Sequence, residues 1–171
     1  MPTLPPRYPE ITVSGSPREL GRQIGEATGD LLRAFCDIAL ERVNKTASVT
    51  RDEANAVAAR CLEFTRIYNP SLIEELEGTA EAAAVPLIDL MLLQVRNQLT
   101  ADEEAGCTSM SLAPGVVAQN WDNDPELDQF TVVLTRHPND RPSLTTLTQA
   151  GLIAYIGFND SGLGACLNTL P

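Results

Sequence analysis

Basic residues are scarce in this sequence: 12 Lys and Arg stand against 23 Asp and Glu, a formal net charge of -11. Surfaces that track phosphates need clustered cations to displace counterions, so neither nucleic acid nor an anionic membrane is expected as a partner. No uncharged apolar run approaches the length that spans a bilayer, and the opening Met-Pro-Thr-Leu-Pro-Pro lacks the basic start and apolar stretch of a signal peptide. A cytoplasmic location is the resulting expectation. No Cys-x-x-Cys pair occurs among Cys36, Cys61, Cys107 and Cys166. Scattered cysteines in a chain of this size indicate neither a metal or redox motif nor a disulfide framework, so no metal and no cofactor are expected. The single histidine, His137, lies among turn residues and reads as a solvated loop side chain. A Cys-His dyad is therefore not expected. Internal repeats and low-complexity tracts are absent as well.

What is present is an ordinary globular composition, 43% apolar and 20% charged over 171 residues, enough for one sizeable core. The hydrophobic period changes near residue 106, helical before it and strand-like after it. Residues 1–106 thus form a helical segment and residues 107–171 a sheet region, together one structural unit. A short extended stretch at 11–14 precedes Ser16, Pro17 and Glu19, which make a capping box with proline at the first helical position. A long helix is expected from there to about residue 43. Thr50 and Glu53 repeat the box and predict a second helix to about residue 68. Asn69-Pro70 breaks it; a third helix is predicted over 71–84 and a fourth, after Pro86, over 87–99.

The sheet region predicts an antiparallel meander with strands at 108–113, 116–122, 130–136, 143–149, 152–158 and 162–168, separated by Gly, Pro, Asn and Asp turn signals. The helical segment is expected to pack on one face of it. If Pro114 and Gly115 form a two-residue loop, Cys107 faces Asp122 across the first hairpin. Proline fits poorly at the first position of the mirror-image turns, so a slip of one residue through a bulge, placing Trp121 opposite Cys107, is the alternative; Asp122 is expected near Cys107 in either register.

Three groups of residues occur in order: Gly106-Cys107-Thr108-Ser109, then Gln119-Asn120-Trp121-Asp122, then Gln149 through Asn159-Asp160-Ser161-Gly162 to Leu167-Asn168. Together they resemble the acyl-coenzyme A:isopenicillin-N acyltransferase family of N-terminal-nucleophile enzymes, with penicillin V acylases, bile salt hydrolases and acid ceramidases as more distant relatives. Gly15-Ser16-Pro17-Arg18-Glu19-Leu20-Gly21 and Leu92-Leu93-Gln94-Val95-Arg96 extend the resemblance into the first half. The resemblance implies an α+β fold of the αββα sandwich type. It implies self-cleavage between Gly106 and Cys107, after which the Cys107 thiolate forms a thioester and the freed α-amine acts as base. Asp122 then matches the carboxylate that orients the amine and thiol, and Asn168 an oxyanion-hole position. Arg96, Gln119 and Trp121 are candidate substrate contacts, Arg96 either as a clamp for a carboxylate or as a solvated helix end.

This chain has Gln119 where bile salt hydrolases carry Arg, which favours the acyltransferase branch. The family continues beyond the equivalent of Pro171, so the sandwich is expected to be incomplete here, with an apolar sheet face open to self-association. The activity implied is that of an autoprocessed amidohydrolase or acyltransferase on a non-peptide amide, with water or an amine as acceptor and association between the two processed segments. The resemblance admits coenzyme A thioesters as donors. Two other readings stay open: an inert fragment or pseudoenzyme that acts by binding, and a helical interaction module fused to a sheet, in which Cys107 is incidental.

Overall fold

A computed structural model describes residues 7–99 and 107–168. The helices follow their caps. Helix α1 (Pro17–Val43) starts at Ser16, whose hydroxyl accepts from the Glu19 N–H while the Glu19 carboxylate accepts from the Ser16 N–H. Thr50 and Glu53 do the same for α2 (Arg51–Tyr68). Each box satisfies backbone donors that a helix start leaves unpaired. Helix α3 (Pro70–Ala83) follows after Asn69, and α4 (Leu87–Val95) tightens into a 3-10 turn, Arg96–Gln98.

Helices α1 and α3 cross at unusually close range because glycines face each other there. A Cβ built on Gly21 would lie 1.9 Å from the Glu75 carbonyl oxygen, and one on Gly78 would lie 2.4 Å from that of Arg18. Only hydrogen fits at such positions. Leu32, Phe35, Leu76, Leu90 and Leu93 fill the interhelical core, joined by Phe130 and Leu152 from the second half.

The short stretch expected at 11–14 is strand β1 (Glu10–Gly15). It adds to the sheet formed by β4 (Thr131–Pro138), β5 (Leu144–Gln149), β6 (Ile156–Asn159) and β7 (Gly164–Ala165), in the order β1-β4-β5-β6-β7. Strands β4 to β7 pair antiparallel, but β1 pairs with β4 in parallel, Val13 opposite Arg136, so the sheet is mixed rather than a pure meander. Parallel pairing needs a long crossover, and here that crossover contains all four helices. Val132, Leu134 and Arg136 alternate toward the helices, where Val13, Leu20 and Ile24 complete a second core. Buried Arg136 donates from Nε and Nη2 to one carboxylate oxygen of Glu75 on α3, at 3.0 and 2.8 Å.

Two expected strands lose more than half of their predicted length. Residues 152–155 do not pair: Gly151 turns the chain at φ +84, Leu152 enters the helical core, and Gln94 of α4 holds both sides of the turn. Its Nε2 donates to the Gly151 carbonyl at 2.8 Å, and its Oε1 accepts from the Ile153 N–H at 3.1 Å. The segment 162–168 contributes only two residues to the sheet. Strands β2 (Thr108–Leu112) and β3 (Val116–Asn120) form a separate two-stranded hairpin. Helices in the first half and sheets in the second make the fold mixed α+β. Among the described residues no helix is long and apolar enough to cross a membrane.

Candidate active site

The hairpin that follows Cys107 closes through three residues, Ala113, Pro114 and Gly115, with Leu112 opposite Val116. The Ala113–Pro114 bond is cis and Gly115 sits at φ +86, where a Cβ would be strained. Thr108 pairs with Asn120, so one further step brings Trp121 opposite Cys107. The register with Asp122 opposite is thereby corrected in favour of the slipped one. Proline, locked near φ -65°, cannot take the positive φ that a mirror-image two-residue turn requires at its first position.

Three of the candidate residues come together across the hairpin. Asn168 Nδ2 donates to the Cys107 carbonyl oxygen at 3.0 Å. Gln119 grips the preceding residue through both ends of its amide: Nε2 donates to the Leu167 carbonyl at 2.6 Å, and Oε1 accepts from the Leu167 N–H at 3.0 Å. Gln119 therefore holds the backbone that delivers Asn168 to Cys107, a role that resemblance to substrate-contacting positions does not convey. Trp121 is half-buried with its ring 4.8 Å from that of Tyr155, the planes tilted by 31°. Cys107 is itself half-buried. Gly106, the other half of the expected cleavage site, lies outside the described residues.

Asp122 follows directly on Trp121; it is exposed and makes no hydrogen bond or ion pair among the described residues. Arg96 is no solvated helix end. It is 5% exposed, with Nη1 donating to the Leu93 carbonyl at 2.8 Å, Nη2 donating to Gln149 Oε1 at 2.6 Å, and its guanidinium 5.0 Å from the Phe35 ring centroid. Burial lowers its pKa from the usual arginine value, with neighbouring Tyr155 working against the shift. The side chain is turned into the core. His137 is exposed at the end of β4, its Nδ1 2.8 Å from Ser143 Oγ.

A groove of about 830 Å³ runs between the hairpin and the outer part of the large sheet. Gln119 and Trp121 line it together with Val117, Leu147, Phe158 and Cys166, whereas Cys107 is not among its lining residues. Val117, Phe158 and Leu163 are exposed on this side. Tyr155 and Asn97, whose Nδ2 donates to the Tyr155 hydroxyl at 2.7 Å, escaped the sequence reading. No spacing rule links positions 97 and 155; the contact exists because residues 152–155 fold back onto α4.

No family model matches the chain. Over 167 residues it is 25% identical to the acyl-coenzyme A:6-aminopenicillanic-acid-acyltransferase 40 kDa form of Emericella nidulans. The alignment covers 94% of this chain and 46% of that protein, so the chain spans about half of that relative's length. At this level of similarity the chain is a distant homologue of an acyltransferase.

Proposed function

We propose that the chain carries the nucleophile half of an autoprocessed N-terminal-nucleophile cysteine enzyme, an amidohydrolase or acyltransferase of the αββα type, with Cys107 as nucleophile. The observation that carries this reading is the hydrogen bond from Asn168 to Cys107, which unites the two ends of the resembling segments. Likeness to an acyltransferase over nearly the whole chain supports it further.

In this reading, cleavage at Gly106-Cys107 leaves Cys107 with a free α-amine that takes the thiol proton. The thiolate attacks the acyl carbonyl, a C–S bond forms, and the C–N bond of an amide, or the C–S bond of a coenzyme A thioester, breaks. The leaving amine or thiol departs with the proton. Water or an acceptor amine then attacks the thioester and restores the thiolate. Asn168 holds Cys107 through its side chain and offers its backbone N–H at the oxyanion position. Asp122 enters the reaction by moving onto the new α-amine, a positive partner that the uncut chain does not provide. Trp121 walls the groove that receives the acyl group. The substrates are small amides or acyl donors, and the two processed segments stay associated through the core they share.

Incubation with a short acyl-coenzyme A thioester tests the assignment. The acyl mass should appear on the peptide carrying Cys107, be released by hydroxylamine, and vanish in Cys107→Ala. Acyl transfer that persists in Cys107→Ala would remove Cys107 from the mechanism.

Asp122, exposed and without an ion pair among the described residues, favours a second reading, a catalytically inert relative that acts by binding. Tight binding of the same thioester with no acyl-enzyme in any processed form would establish it.

A further inference from the structure

Among the described residues the β2–β3 hairpin pairs with no strand of the larger sheet, and two strands alone are marginally stable. Its placement therefore depends on side-chain links. Two of them, Gln119 to Leu167 and Asn168 to Cys107, tie it to the segment after β7. Another runs to the helical layer. Asn97, in the 3-10 turn after α4, donates to the Tyr155 hydroxyl at 2.7 Å, and the Tyr155 ring meets the Trp121 ring at 4.8 Å. Tyr155 is fixed from a second side, because Gln94 of α4 holds the backbone at Gly151 and Ile153.

We propose that Tyr155 is a positioning residue: it carries the placement of α4 through Trp121 to the strand end opposite Cys107, setting both the access to the thiol and the wall of the groove beside it. The ring supplies the contact and the hydroxyl fixes its angle. Loss of the hydroxyl loosens Trp121, and loss of the ring frees it. The consequence for turnover rests on Cys107 being the nucleophile; the consequence for access does not.

Trp121 is the only tryptophan in the sequence, so its emission reports this contact directly. In the full-length chain, Tyr155→Leu is expected to red-shift that emission and raise acrylamide quenching. It should also speed iodoacetamide labelling of Cys107 relative to Cys61, read by peptide mass spectrometry. Tyr155→Phe should give a smaller change in the same ratio, about 2- to 10-fold as one hydrogen bond commands. If the chain turns over acyl substrates, Tyr155→Leu should re-rank kcat/KM among acyl chain lengths. Should no substrate be turned over, the labelling ratio still decides the positioning role, while the functional reading falls alone. An unchanged Cys107 to Cys61 ratio in Tyr155→Leu overturns the inference. So does a parallel rise at all four cysteines with a lowered melting temperature, the mark of a merely structural residue.

Discussion

The four thiols differ in what surrounds them, and chemistry should follow those surroundings. Burial, then the nearby charges of Asp89 and Asp37, push the Cys36 thiol up to about 12. At pH 8 only about one Cys36 in 10⁴ is then thiolate, and thiolate is the reactive form. Alkylation timed by peptide mass spectrometry should therefore find Cys36 slower than a thiol with an ordinary value; equal rates at pH 8 would show its surroundings to be wrong. Asn168→Ala removes the bond that holds the Cys107 carbonyl. Under the proposed function kcat should drop about 10-fold with little change in KM, the loss of one positioned hydrogen bond. An effect on KM alone would move Asn168 into substrate binding. Cys107 stood out in the sequence because Gly106-Cys107-Thr108-Ser109 opens the series of segments that carries the resemblance. Arg96 did not reveal its burial, since the pattern of a helix end cannot show that Phe35 and Gln149 close over it.

Among the elements, the helix starts were legible because capping is local: Ser16 with Glu19, and Thr50 with Glu53, act within one turn. Hairpin register and strand ends were less so. A three-residue loop and a two-residue loop differ only in backbone angles at Ala113 to Gly115, and residues 152–155 have strand-like composition yet follow Gly151 onto α4. The partner of β1 was beyond reach, because it lies more than a hundred residues away in the chain. The close crossing of α1 and α3 yields a contrast between neighbouring glycines. Gly21→Ala drives a methyl into the Glu75 backbone, which cannot give, and should cost about 3 kcal/mol in urea unfolding. At Gly29 the nearest atom, 3.2 Å away, is the far end of the Arg33 side chain. Gly29→Ala should be neutral or stabilise by up to about 1 kcal/mol through helix propensity. Equal losses at both positions would contradict the packing described.

On the scale of the whole molecule, charge joins parts distant in sequence. Arg42 of α1 binds Asp124 and Glu126, which lead into β4, and Lys45 adds to the same group. Burial opposes ionisation of Asp124, but the hydrogen bonds from Arg42 and from the Glu126 N–H, with the charges of Arg42 and Lys45, outweigh it and lower its pKa. The unfolded chain therefore takes up this proton first as pH falls. The stabilisation is fully present above the unfolded value of about 4 and is lost as pH falls through the depressed folded value. Melting temperatures should drop across that acid window, and Asp124→Asn should flatten the drop; an identical slope in the variant would assign acid sensitivity elsewhere. The arrangement of helices in the first half and sheets in the second was legible because the hydrophobic period changes between them, whereas the residue opposite Cys107 depends on a register that only the folded hairpin fixes. Processing is decisive for the proposed function, since an uncut Cys107 has an amide nitrogen that cannot act as a base. Intact-mass analysis of the full-length chain is the most direct test: a fragment beginning at Cys107 is expected, absent in Cys107→Ala and retained in Cys36→Ala. A wild-type chain that stays in one piece and still turns over amides would contradict the account.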